Sequence, residues 1–218
     1  MKTPSKKNAN SKRTPHQVRI IGGQWKRSLL AVVDAEGLRP TPDRVRETAF
    51  NWLNHLCDGE WARLNCLDLF AGSGALGFEA ASRGAKHVTM VEAHTPAYRQ
   101  LEVSKQKLHA SHVSLLRGDA LSFAKGVVTQ QQFDVIFLDP PFGHDWLPKI
   151  LPLCLTLLKD DGYLYVEAES ALDQSEADEN TANWLHGWKV IRADKAGSVF
   201  FHVLQRSISK HEAHENQA

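Results

Sequence analysis

NCLDLFAGSGALGFEA, residues 65–80, passes from an apolar strand pattern through a glycine turn into a helix. The turn, GSGALG, fits the GxGxxG pattern of dinucleotide-binding folds, in which glycines permit a tight turn and close approach of backbone to a ligand. This segment sets the fold because it starts an alternation that continues through the chain. Strands are predicted at 66–70, 87–92, 113–117, 133–139 and 162–169. Helices are predicted at about 75–83, 95–109, 119–127 and 146–158, the last bent or broken at Pro152. Alternating strands and helices predict an α/β fold: a parallel sheet covered on both faces, with ligands at the carboxyl ends of its strands. WKVIRADKAGSVFFHVLQR, residues 188–206, departs from this pattern. It predicts two strands joined by a Lys-Ala-Gly turn, an antiparallel finish.

Ahead of the alternation, residues 18–21 and 28–33 flank GGQWKR and predict a small hairpin. A helix follows from about 42 to 56, with Thr41 as N-cap, Pro42 at its first position and Asp43 in its first turn. Residues 1–16 lack apolar periodicity and predict a disordered basic tail, as 208–218 predict a disordered end. The expected organisation is tail 1–16, hairpin and helix extension 17–60, main domain 61–207 and tail 208–218, with 173–183 an acidic connector.

The chain has 218 residues, 42% hydrophobic and 23% charged, which suits one buried core. No apolar run is long enough to span a bilayer, and no secretory signal is evident, so the cytoplasm is expected. Cys57, Cys66 and Cys154 are too few and too widely spaced for a disulfide framework or a zinc site. No metal and a monomeric state are expected. The net charge of +1 conceals an asymmetry: eight of the 26 Lys and Arg precede Asp34, the first acidic residue. A cationic arm on an acidic body is either a solvated tail or a contact for a polyanion.

Three acids surround the glycine turn. Glu92, about twenty residues on at a strand end, suits a ribose diol in either NAD or S-adenosylmethionine. Asp68, just before the turn, separates the two. A carboxylate beside a pyrophosphate repels it, whereas one beside the ammonium and sulfonium of S-adenosylmethionine attracts them. Asp119, in RGDA, either accepts from an adenine amino group or caps the next helix, and both roles stay open.

The fourth strand ends in LDPPF, residues 138–142. Two prolines rigidify the exit and remove two backbone donors, leaving the carbonyls of Asp139 and Pro140 as acceptors. Such acceptors suit an exocyclic amino group on a nucleobase, whose lone pair is delocalised until its N–H bonds are held. Phe142 offers a face on which the target base stacks.

LDLFAGSGALG, VEAH, RGDA and LDPPF together resemble the motifs of class I S-adenosylmethionine-dependent methyltransferases that modify amino groups. RIIGGQWKR and GLRPTPDRVRETAFNWL are similar to the amino-terminal signature of the bacterial 16S rRNA guanine-N2 methyltransferases acting on guanine 966 of the small subunit. The resemblance runs from about Arg19 to Arg206. It implies a Rossmann-like, seven-stranded, mostly parallel sheet with an antiparallel last strand. It also implies S-adenosylmethionine as cofactor and 16S rRNA in the small ribosomal subunit, or its assembly intermediate, as partner. The cofactor set is Asp68, Phe70, Gly72, Ser73, Gly74, Glu92, Asp119 and Ala120; the catalytic set is Asp139, Pro140, Pro141 and Phe142. Arg19, Lys26, Arg27, Arg39, Arg44 and Arg46 are candidates for RNA contact. Arg39, Thr41, Arg44 and Arg46 have a second reading, in helix capping and ion pairing with Glu47. Rival readings are an adenine-N6 methyltransferase of DNA or RNA, an NAD-dependent oxidoreductase and a non-catalytic RNA-binding assembly factor.

Overall fold

The computed structural model describes residues 17–33, 41–127, 132–172 and 184–207. The basic tail 1–16, Arg39, the acidic connector 173–183 and the tail 208–218 lie outside them. The element order is β1 (Gln17–Arg19), β2 (Leu29–Ala31), α1 (Asp43–Leu56), β3 (Asn65–Asp68), α2 (Ala75–Ser82), β4 (His87–Glu92), α3 (Thr95–Leu108), β5 (Val113–Arg117), α4 (Ala120–Val127), β6 (Phe133–Leu138), α5 (Trp146–Leu157), β7 (Leu158–Ala168), β8 (Trp188–Ala196) and β9 (Val199–Arg206). β1 and β2 pair as an antiparallel hairpin, and the other seven strands form one sheet in the order β5-β4-β3-β6-β7-β9-β8. β3 to β7 pair in parallel, and β9 runs antiparallel to both β7 and β8. The seven-stranded sheet with its antiparallel finish is the expected one.

Strand parity builds two cores, because successive side chains point to opposite faces. Cys66, Val88, Met90, Val135, Phe137 and Tyr165 pack on one side with Phe50 and Leu53 of α1, Phe78 of α2 and Leu101 of α3. Leu67, Val91, Ile136, Leu138, Leu164 and Val166 pack on the other with Ala124 of α4 and Ile150, Leu151, Cys154 and Leu157 of α5. All three cysteines are free and buried within this packing. α5 is one helix from Trp146 to Leu157 with Pro152 inside it, so of the expected bend or break, the break does not occur. Its apolar side, Ile150, Leu151, Cys154 and Leu157, is fully buried, and that burial offsets the lost backbone bond.

The hairpin does not stand free. Its connecting loop lies on the end of α2, where the buried Glu79 carboxylate accepts from the backbone N–H of Ile21 at 2.6 Å and Gly22 at 2.8 Å. Ser82 Oγ donates to the Gly22 carbonyl and accepts from Trp25 N–H, while the Ser82 carbonyl accepts from Gln24 N–H. Gly23 sits at φ +73°, and a Cβ there would fall 1.8 Å from the Ser82 carbonyl oxygen, so the close approach itself demands glycine. The Trp25 ring also stacks on His112, with centroids 5.7 Å apart.

Candidate active site

β3 connects onward to β4 on one side, while β6 pairs on its other side, so the strand order reverses between β3 and β6. That reversal opens a crevice at the carboxyl ends of the two strands, the usual ligand position in such sheets. Asp68 stands opposite Phe137 in the register, two residues before Asp139. Asp68, Phe70, Ala71, Gly72, Ser73, Thr41 and Asp139 line one cleft there.

Asp68 is buried. Its Oδ2 accepts from Gly77 N–H at 3.0 Å, but its Oδ1 has no partner. Burial, reinforced by the charges of Asp139 and Glu92, pushes its carboxyl up to about 7. A buried carboxylate oxygen without a donor is costly unless a cation or donor reaches it. This orphan oxygen fits a ligand bearing an ammonium. Gly74 holds φ +81° at the start of α2, where a Cβ would come within 2.5 Å of the Phe78 ring.

Glu92 lends the glycine turn its shape, accepting from Gly72 N–H at 2.7 Å and His94 N–H at 2.6 Å. Four lone-pair positions leave room for a diol as well. Asp119 Oδ1 accepts from Ser122 N–H at 2.8 Å, which makes it the cap of α4. Ala120 is packed into the core on the α5 side, and neither it nor Gly74, Glu92 and Asp119 lines the cleft around Asp68.

Two corrections concern Thr41, just before α1, and Arg46, within it. Thr41 is not its N-cap: the helix begins at Asp43 with Pro42 in the cap position. Thr41 is buried, and its hydroxyl lies 3.0 Å from Asp139 Oδ2 and 2.9 Å from Glu167 Oε1, with Tyr165 Oη donating to that same Glu167 oxygen at 2.9 Å. Arg46 is not a surface arginine. It is 0% exposed, it pairs with Asp43 at 2.6 Å and not with Glu47, and it donates to the carbonyls of Arg19 and Thr41. A phosphate has no path to it, so its role is to join the hairpin to α1. Arg19 forms a partly exposed pair with Asp43, and Lys26, Arg27 and Arg44 are exposed.

Beyond the DPPF turn lies a second cleft of about 170 Å³. Pro140, Pro141, Phe142, Trp146 and Glu167 are among its walls. Phe142 is 39% exposed, as a stacking face must be. Trp146 packs edge-on against Phe70 and has a buried indole N–H without a partner. Sequence reasoning passed over Glu167 and Tyr165. The signal was an acid in an otherwise apolar strand, GYLYVEA, where burial leaves it no solvent. Among the described residues no group of three or more His, Cys, Asp or Glu could hold a metal, and no helix is long and apolar enough to cross a membrane.

Residues 18–205 match the family model described as Conserved hypothetical protein 95. The chain is 39% identical over 190 residues to ribosomal RNA small subunit methyltransferase D of Escherichia coli strain K12, covering 87% of this chain and 90% of that one. The protein of the same name from Haemophilus influenzae is 43% identical over 157 residues, 70% of this chain and 79% of that one. The solved structure of yhhF, a proposed methyltransferase from Escherichia coli, superimposes with a TM-score of 0.72 at 34% identity, covering 89% of this chain and 100% of that one.

Proposed function

The chain belongs to the family described as Conserved hypothetical protein 95, and from that premise we propose that it methylates the N2 amino group of guanine 966 in the 16S rRNA of the small ribosomal subunit. That it is an S-adenosylmethionine-dependent methyltransferase of ribosomal RNA follows from relatives 39% and 43% identical over most of both chains. The base, the atom and the position are our reading, as are a cytoplasmic location and a monomeric state. The observation that carries it is the pairing at one sheet edge of an orphaned carboxylate oxygen on Asp68 with a second carboxylate on Asp139, next to a second cleft walled by the DPPF turn and Trp146.

The cofactor supplies an electrophilic methyl on a sulfonium. Asp68 attracts its ammonium, the glycine turn gives backbone contacts, and Glu92 accepts from its ribose. Asp139 Oδ1 makes no hydrogen bond among the described residues and, with the Pro140 carbonyl, accepts the two N–H bonds of the target amino group. Those bonds localise the nitrogen lone pair and aim it at the methyl, so that positioning provides most of the acceleration. The methylated nitrogen then gives one proton to Asp139. Exposed Lys26, Arg27 and Arg44 contact phosphates.

Incubating the protein and labelled cofactor with small subunits from a strain lacking it should yield N2-methylguanosine at one site. N6-methyladenosine instead would overturn the choice of base.

The Asp68 carboxyl, held at about 7 in the free protein, makes cofactor binding depend on pH. The bound ammonium favours the ionised form. Below about pH 7 binding must therefore expel a proton, and affinity falls as pH falls, by up to about tenfold per unit. Titration calorimetry with S-adenosylhomocysteine should show release of close to one proton on the acid side of about 7. Asp68→Asn should abolish that release. The same group acts oppositely on stability: its folded value lies above the unfolded one, so its contribution is full at low pH and is lost as pH rises towards 7.

A further inference from the structure

Asp139, Thr41, Glu167 and Tyr165 form one hydrogen-bonded chain in which hydrogens are scarce. Thr41 Oγ1 is 3.0 Å from Asp139 Oδ2 and 2.9 Å from Glu167 Oε1, while Tyr165 spends its hydrogen on Glu167 Oε1. A threonine hydroxyl has one hydrogen and donates to one carboxylate at a time. With both carboxylates ionised, the second contact would set lone pair against lone pair and charge against charge in a buried site. Both contacts are favourable only when one carboxyl carries a proton and donates it to Thr41. Glu167 is 2% exposed, whereas Asp139 is half-buried at the lip of the cleft, so the charge is less costly on Asp139.

We propose that Glu167 holds this proton and that Glu167 and Thr41 are positioning residues of the methyl transfer. Glu167 Oε1–H donates to Thr41, Thr41 donates to Asp139 Oδ2, and Asp139 faces the amino group as an anion with Oδ1 open. The inference rests on the methyltransferase reading above. Burial raises both carboxyls; the charge of Asp139 lifts Glu167 further, and the Thr41 hydrogen bond restrains both. From α1, Arg46 favours an ionised Glu167, while Tyr165 donates from the same strand. His144, Asp145 and Glu169 share the second cleft with it. During transfer the nitrogen–carbon bond forms as the carbon–sulfur bond breaks, and the nitrogen's proton passes to Asp139 Oδ1. Glu167 keeps its own proton throughout.

The test compares wild type with Glu167→Gln, Thr41→Val and Thr41→Ser, using kcat against pH on methyl-deficient small subunits. The wild-type rate should fall on the alkaline side, where Glu167 loses its proton and Thr41 faces two anions. In Glu167→Gln the amide N–H donates to Thr41 from the same place and does not titrate, and the Tyr165 hydroxyl, which cannot donate to that nitrogen, turns away from it. Whatever the variant's rate at neutral pH, the alkaline fall seen in wild type should vanish. Thr41→Val should lower kcat by about tenfold to a hundredfold with the cofactor KM little changed, and Thr41→Ser should restore it. A readout independent of turnover is the carbon-13 resonance of the Glu167 carboxyl in the unliganded protein, expected to be that of a neutral acid at pH 7. Superimposable alkaline profiles for wild type and Glu167→Gln, or an ionised Glu167 at neutral pH, would sink the proposal. If Thr41→Val unfolds, the Gln profile and the resonance decide. A wild-type protein that transfers no methyl to subunits overturns the functional reading instead, and the resonance still tests the proton on Glu167.

Discussion

Asp139→Ala should slow methyl transfer by about a hundredfold to ten-thousandfold while changing cofactor affinity only a few fold. Three losses combine in this one side chain. The target nitrogen loses the acceptor that localises its lone pair, the product loses its proton acceptor, and Thr41 loses one of its two carboxylate partners. The remaining Pro140 carbonyl can orient an amino group but cannot take a proton. Asp139→Asn should fall between wild type and Ala, since its amide oxygen accepts one N–H bond without a negative charge. Single-turnover methylation of small subunits separates this chemistry from binding and release. A secondary result is specific to the geometry. Asp139 is one of the charges that raise the Asp68 carboxyl, so Asp139→Ala should lower it and move the onset of proton release on cofactor binding to lower pH. A single-turnover rate within a few fold of wild type would refute the assignment of Asp139.

Glu79→Ala should cost about 3–5 kcal/mol of stability, because it strands a partly buried guanidinium and two backbone donors at once. Glu79 is 0% exposed, and it accepts from Ile21 N–H, Gly22 N–H and Arg83 Nε. Arg83 is itself only 16% exposed and lies over the Phe50 ring, so it cannot easily turn to water. Glu79→Gln should cost less, because the amide oxygen still accepts from one of the two backbone groups. Urea denaturation gives the loss, and amide exchange should show Ile21, Gly22 and Trp25 deprotected beyond the global change. The hairpin carries the exposed Lys26 and Arg27, so the folded fraction of the variant should also bind subunits more weakly. A loss below about 1 kcal/mol would mean that the hairpin is held mainly by Trp25 and the apolar contacts of Ile20 and Leu30.

Much of this was legible in the order of residues, and the exceptions share a cause. β4 and β5 fall where period and β-branched content place them, at 87–92 and 113–117, because both are short apolar runs with turns on either side. β7 begins at Leu158, ahead of the expected 162: Leu158 pairs with Phe133, and the polar Lys159 to Asp161 fall in an irregularity of the register before Tyr163 pairs with Val135, with no apolar pattern to mark them. The glycine turn, Asp68 and the DPPF turn are local signals, each readable from a few neighbours. Arg46 and Glu79 are not. An arginine in RVRET and a glutamate in GFEAA look like solvated helix positions until the hairpin is laid over them. Thr41 looks like a helix cap for the same reason, since its actual partners lie 98 and 126 residues further along the chain.

The sequence by itself determined the alternating α/β fold, the antiparallel finish, the glycine turn and the carboxylates at strand ends, because each depends on side-chain period and on backbone preferences within a few residues. Only the tertiary structure decided which charged groups are buried and which oxygens share a proton. Parity along β3, β6 and β7 turns residues 68, 139 and 167 towards the α1 side, and parallel pairing with the reversed strand order brings their ends together. The ionisation and hydrogen bonding of Asp68, Asp139 and Glu167 depend on those long-range neighbours and on the water they exclude, neither of which a linear reading contains.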